Sequence, residues 1–247
     1  MSSVFLPPFR ASLCGREKSL RAAVILLVAS ATACSSEAIE NPGDGSDGGA
    51  GASAGARGAV LRSDPVAAPY PSGPYGRNVG SVIQNLSFLG WRDGAAAEYD
   101  PTRLEVVSLS DYYNPDGSGP VKLVALNASA VWCTVCRAEY RQLERDAIYE
   151  TFRPKGVEIL GVLFEDSDYE PAKPDDLAIW GGPDAFQVPF PLVIDPGFKT
   201  GAYFETDATP MNMLIDTRTM QILDITMGYD TAQPDVYWSK IDRWLGQ

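Results

Sequence analysis

Two nearly continuous apolar runs, residues 121–126 (VKLVAL) and 157–164 (VEILGVLF), bracket a segment with helical periodicity, and this pattern limits the fold more than any other feature. Runs apolar on both faces suit central strands covered above and below. Between them, residues 134–152 place Cys136, Tyr140, Leu143 and Ala147 on one helical face, with Arg137, Arg141, Glu144 and Arg145 elsewhere. Gly156 then ends the helix. Strand, helix, strand at this spacing is a right-handed βαβ unit with parallel strands. Residues 105–109 and 192–194 read as short strands, 211–216 and 220–227 as two strands joined by a polar turn, and 236–245 as a closing amphipathic helix. The expected fold is therefore α/β, a mixed central sheet with helices on its faces.

At the junction of the first run and the helix stands Trp132-Cys133-Thr134-Val135-Cys136. The chain has four cysteines and no histidine, so no Ser-His or Cys-His pair and no His-ligated metal can form. A C-x-x-C pair serves zinc, haem attachment or redox chemistry. Zinc lacks further Cys or His ligands once Cys14 and Cys34 are set aside, and haem attachment needs His where Arg137 stands. Redox use fits the position. A cysteine at a helix start faces unpaired backbone N–H groups and the positive end of the helix dipole, which stabilise its thiolate. Cys133 is thus expected as the exposed nucleophile and Cys136, one turn inward, as the buried resolving thiol. The alternative, an inert disulfide, would close a loop too short to stabilise much.

These residues resemble the thioredoxin superfamily, and the wider pattern is similar to its TlpA/ResA-like (redoxin, AhpC/TSA-like) thiol–disulfide oxidoreductases of the bacterial envelope. Asn127, six residues before Cys133, stands where thioredoxin has a buried Asp, and Glu139 matches an active-site Glu of some members. Thr209-Pro210 followed by Met211-Asn212-Met213-Leu214-Ile215-Asp216 resembles the P-x-x-x-x-I-D segment, whose proline is cis. The resemblance implies a thioredoxin fold with Cys133, Cys136 and Glu139 catalytic. Trp132, Thr209 and Pro210 would meet substrate, and Asn127 would tune the site. It needs no cofactor beyond the redox-active Cys133–Cys136 disulfide and no metal. Residues 80–88 (GSVIQNLSF) are similar to the family's N-terminal lead-in, with Gln84 where Pro is common. Ala128 and Ser129 replace an aromatic pair, Val135 replaces a frequent Pro, and residues 165–188 look inserted relative to a minimal thioredoxin. Glu139 could also be a Glu favoured by the helix dipole, and Asn127 a satisfied core amide. The acidic set Glu165, Asp166, Asp168 and Glu170 reads as a solvated loop rather than a metal site.

The chain start reads as an export signal, residues 1–33, with four basic residues, the apolar run AAVILLVA at 22–29, and Ala31-Thr32-Ala33 before Cys34. Cys34 falls where a bacterial lipoprotein carries its lipid; ordinary secretion with a free Cys34 is the alternative. Residues 34–69 then form a lipidation site and flexible Gly/Ala/Ser/Asp-rich linker, leaving 70–247 as the thioredoxin-like domain. Removing residues 1–34 changes the net charge from −12 to −15, since four basic residues and one acidic residue go with them. Such a balance argues against nucleic acid and anionic membrane surfaces. The expected partners are protein thiols and disulfides and an unidentified electron donor. Membrane contact would come only through the lipid anchor, in an exported lipoprotein facing the periplasm. The expected activity is thiol–disulfide exchange, as reductant rather than oxidant. A thiol peroxidase is the competing enzyme, but its P-x-x-x-T-x-x-C would need Pro at 126 and Thr or Ser at 130 for Cys133, where Leu126 and Ala130 stand. A binding module with a static disulfide is the non-enzymatic alternative.

Overall fold

The computed structural model describes residues 69–205 and 208–246. The expected signal, Cys34 and nearly all of the linker lie outside them. Seven strands form one sheet in the order β2-β1-β5-β4-β3-β6-β7. They are β1 (Ser87–Trp91), β2 (Glu105–Ser108), β3 (Leu123–Ala130), β4 (Val157–Glu165), β5 (Leu192–Ile194), β6 (Met211–Asp216) and β7 (Gln221–Met227). The helices are α1 (Thr134–Arg145), α2 (Ile148–Phe152), α3 (Pro174–Gly181) and α4 (Val236–Leu245). β3, β4 and β5 run parallel, while β6 pairs antiparallel with β3 and β7 with β6 on one side, and β1 pairs antiparallel with β5 and β2 with β1 on the other. This is the mixed sheet with flanking helices that the sequence implies.

The two apolar runs become the centre of that sheet. All eight residues of β3 are buried, as are the first eight of β4. β3 runs four residues beyond the expected 121–126, to Ala130, so it delivers the chain directly to the turn before Cys133. β1 was not expected as a strand. It pairs between β2 and β5 and buries Phe88 and Trp91. Residues 165–188 hold α3, so this segment is the crossover between parallel β4 and β5.

The helix expected over 134–152 is two helices. Asp146 ends α1, and Ala147 takes a left-handed conformation at φ 47° before α2 begins. Continuing straight from Leu143 would turn Ala147 toward the core. The break instead leaves Ala147 exposed and buries the larger Ile148 and Phe152. Phe152 lies against Trp238 of α4, ring centroids 5.5 Å apart. Each such buried aromatic contributes about 1.5–3 kcal/mol, well beyond what one alanine methyl gives.

Tyr140 fixes α1 on the sheet. Its ring packs edge-on to the fully buried Trp180 of α3, centroids 4.9 Å apart, and its hydroxyl lies over Gly161 in β4. A Cβ at Gly161 would fall 2.5 Å from that hydroxyl and 2.8 Å from Leu192 Cδ1. Gly161→Ala is therefore expected to lower the unfolding free energy by about 2 kcal/mol through overpacking. The measurement is the urea midpoint, read at unchanged m value.

Candidate active site

Cys133 is the N-cap of α1, with extended backbone, and its Sγ accepts the Cys136 amide N–H at 3.0 Å. One of the helix's unpaired donors is thereby directed at sulfur. Cys133 and Cys136 are joined by a disulfide, with Cα atoms 5.3 Å apart. Cys136 is fully buried, as the helical face requires. Cys133 was expected to be exposed and is not. It is 3% exposed, its sulfur bridged to the fully buried Cys136 and lying 3.9 Å from the Thr209 carbonyl oxygen.

Thr209 and Pro210 lie at the start of β6, joined by a cis peptide bond. The Thr209 carbonyl oxygen is 3.9 Å from Cys133 Sγ, and its hydroxyl is 3.6 Å from Cys136 Sγ. One residue thus touches both sulfurs from 73 or more positions away in sequence. Trp132 is half-buried; its indole N–H donates to Glu165 Oε2 at 2.7 Å, and its ring stacks on Tyr169 with centroids 4.8 Å apart. Asp166 departs from the expected solvated loop. Buried, it accepts from the backbone N–H groups of Asp168 and Glu170 and from Lys173 Nζ, which closes the turn carrying Tyr169.

One turn after Cys136, Glu139 is 1% exposed and clamped by two amides. Asn127 Nδ2 donates to its Oε2 at 2.7 Å, and Asn212 Nδ2 donates to its Oε1 at 2.7 Å. Asn127 also donates to Asn212 Oδ1 and accepts from the Ser129 hydroxyl, so the buried set is closed on itself. Burial pushes the carboxyl up to about 7, against the pull of the two amide hydrogen bonds. Beyond Glu139, a cavity of about 540 Å³ runs between β7 and α4, with Asn212, Thr226, Tyr229 and Tyr237 on its walls.

Every residue singled out on the resemblance comes together here: Cys133, Cys136, Glu139, Asn127, Trp132, Thr209 and Pro210. Asn212 and Ser129 complete the set and were missed. A signal for Asn212 exists, since it is a lone amide inside the apolar strand MNMLI.

A dithiol bridged across the first turn of a helix, behind a buried strand and facing a cis X-Pro at the head of an antiparallel strand, defines a thioredoxin-fold protein. Residues 95–224 match the AhpC/TSA family; the match spans more than half of the chain, and the chain belongs to that family within the thioredoxin superfamily. Among solved structures it is similar to a candidate thiol:disulfide interchange protein, DsbE, from Chlorobium tepidum. The identity is 22%, over 69% of this chain and 99% of that one, with a TM-score of 0.51. It is also similar to a candidate protein disulfide isomerase from Bacteroides thetaiotaomicron, at 23% identity over 70% of this chain and 93% of that one, with a TM-score of 0.50. No curated protein matches the sequence.

The raised Glu139 pKa links stability to pH. The folded protein keeps this proton in a range where the unfolded chain, at the ordinary 4.5, has released it. The contribution is full below about pH 4.5 and is lost as pH rises to about 7. Between pH 5 and 8 the oxidised protein is expected to lose on the order of 3 kcal/mol relative to Glu139→Gln, read by urea unfolding of both proteins across that range.

Proposed function

We propose that this chain is an exported thiol–disulfide oxidoreductase that reduces disulfides in other proteins of the bacterial envelope, held at the membrane by a lipid on Cys34. The observation that carries the reading is the bridged Cys133–Cys136 pair on the helix N-terminus, with the buried Glu139 carboxyl one turn behind it. The signal at 1–33 and the polar linker to residue 69 support export and tethering.

In the reduced enzyme the Cys133 thiolate is stabilised by the Cys136 N–H and the helix dipole. It attacks one sulfur of a substrate disulfide, that S–S bond breaks, and the departing substrate thiolate takes up a proton. Glu139 receives the proton of Cys136. The Cys136 thiolate attacks Cys133 Sγ, the mixed disulfide breaks, and the second substrate sulfur leaves and is protonated. Two electrons have moved to the substrate. The two protons lost by Cys133 and Cys136 balance those gained. A partner protein dithiol then reduces the Cys133–Cys136 disulfide. Trp132 and the Thr209-Pro210 backbone border the sulfurs, where a substrate strand would lie.

Membership of the AhpC/TSA family keeps thiol peroxidase as the second reading. Peroxide would then oxidise reduced Cys133 rapidly, while disulfide substrates would not. With the full chain, redox titration in defined thiol/disulfide buffers is expected to give a reversible two-electron couple near or below about −270 mV; a value near about −120 mV would mark an oxidant instead. Cys133→Ser should abolish exchange, whereas Cys136→Ser should accumulate a mixed disulfide at Cys133, seen by mass. In Glu139→Gln, resolution of that mixed disulfide is expected to slow about 100-fold and to lose its rise through pH 7. A pair that never exchanges would leave only a binding module.

A further inference from the structure

An aromatic groove of about 380 Å³ shares Trp132 and Thr209 with the surroundings of the disulfide and extends over side chains to which the exchange steps assign no role. Buried Phe164, at the end of β4, lies at its base, with Phe198 and Phe204 ring centroids 4.6 and 5.7 Å away and 5.3 Å from each other. Trp132 and Thr209, the two residues that border the sulfurs, line the same groove. Phe198 is 42% exposed and sits at φ 46°, a conformation that a bulky residue adopts only at a cost. Gly201 lets its ring lie there, since a Cβ would come within 2.6 Å of it. Beyond Trp132, the stacked Tyr169 is 66% exposed at φ 64°. Strained backbone that holds aromatic faces in water beside a reactive sulfur points to something that covers them.

Charge narrows the choice of occupant. Glu165 and Glu205 line the groove, and neither forms an ion pair with Lys or Arg among the described residues. The chain as a whole carries −12. An apolar slot edged by carboxylates with no cationic partner among the described residues favours an apolar side chain with a cation close by and disfavours an acidic one. An extended polypeptide advances about 3.3 Å per residue, so a chain whose cysteine meets Cys133 beside Thr209 comes within a residue or two of this groove, which Thr209 and Trp132 also line.

We infer that the groove selects the substrate. It takes polypeptide segments in which an aromatic or branched apolar side chain adjoins the cysteine and a Lys or Arg lies one residue further out. This rests on the exchange activity proposed above. The reduced full chain is mixed with disulfide-linked dimers of Lys-Phe-Cys-Ala, Asp-Phe-Cys-Ala and Ala-Ala-Cys-Ala, and with hydroxyethyl disulfide. Each rate is divided by that of the same disulfide with dithiothreitol, which removes intrinsic reactivity. The Lys-Phe peptide is expected to react at least about tenfold faster than either other peptide, and its lead over Asp-Phe should shrink as salt rises. Phe198→Ala should reduce the Phe preference, and Glu205→Gln the Lys preference. Equal normalised rates for the three peptides, or preferences that survive both substitutions, would overturn the groove assignment. If hydroxyethyl disulfide also fails to react, the exchange reading itself is what fails.

Discussion

Asn127 of β3 and Asn212 of β6 are register partners across an antiparallel pair, and their amides close on one carboxyl group. A strand places alternate side chains on opposite faces, so a slip of one residue would turn either amide away from α1. Glu139 would then be a buried carboxyl without donors, a cost that few folds carry. The β3/β6 register, the seating of α1 and the position of Cys136 thus stand or fall together. Tyr140, next to Glu139, reinforces this by fitting over Gly161, so the helix cannot slide along the sheet without losing both contacts.

The site also uses both sides of the sulfur pair. On one side, Thr209 offers a backbone carbonyl and Trp132 a ring held by Glu165, an arrangement suited to an incoming chain. On the other, the carboxyl is shielded from that face and borders a cavity between β7 and α4. In the exchange proposed above, proton handling and partner contact thus fall to different groups around the same sulfur pair.

Much of this was legible in the sequence, for identifiable reasons. The apolar runs that became β3 and β4 are buried on both faces, so their composition speaks for itself. The dithiol, Glu139, Asn127 and Thr209-Pro210 sit at fixed distances from one motif or in a recognisable segment. What escaped depends on pairing between distant segments. Asn212 stands out as a lone amide in an apolar strand, but its partner is set by the pairing that places it opposite Asn127. The break at Ala147 has no glycine or proline to announce it, and reflects the advantage of burying Ile148 and Phe152. Phe164, Phe198 and Phe204 come from separate parts of the chain, and only the fold makes one surface of them.

The long reach between Asn127 and Asn212 has a consequence for how the protein matures. These residues are 85 positions apart, and Thr209 meets Cys133 from 76 positions away. Contacts of that span are among the last to form, since the intervening chain must first close its loop. A chain emerging from its N-terminus carries Cys133, Cys136 and Glu139 well before β6 exists to face them. During that interval Glu139 lacks the Asn212 amide that clamps it, and the cysteines lack the Thr209 backbone that faces them. A stalled or truncated nascent chain that ends before β6 would therefore bear the motif without the strand that clamps Glu139 and faces the sulfurs.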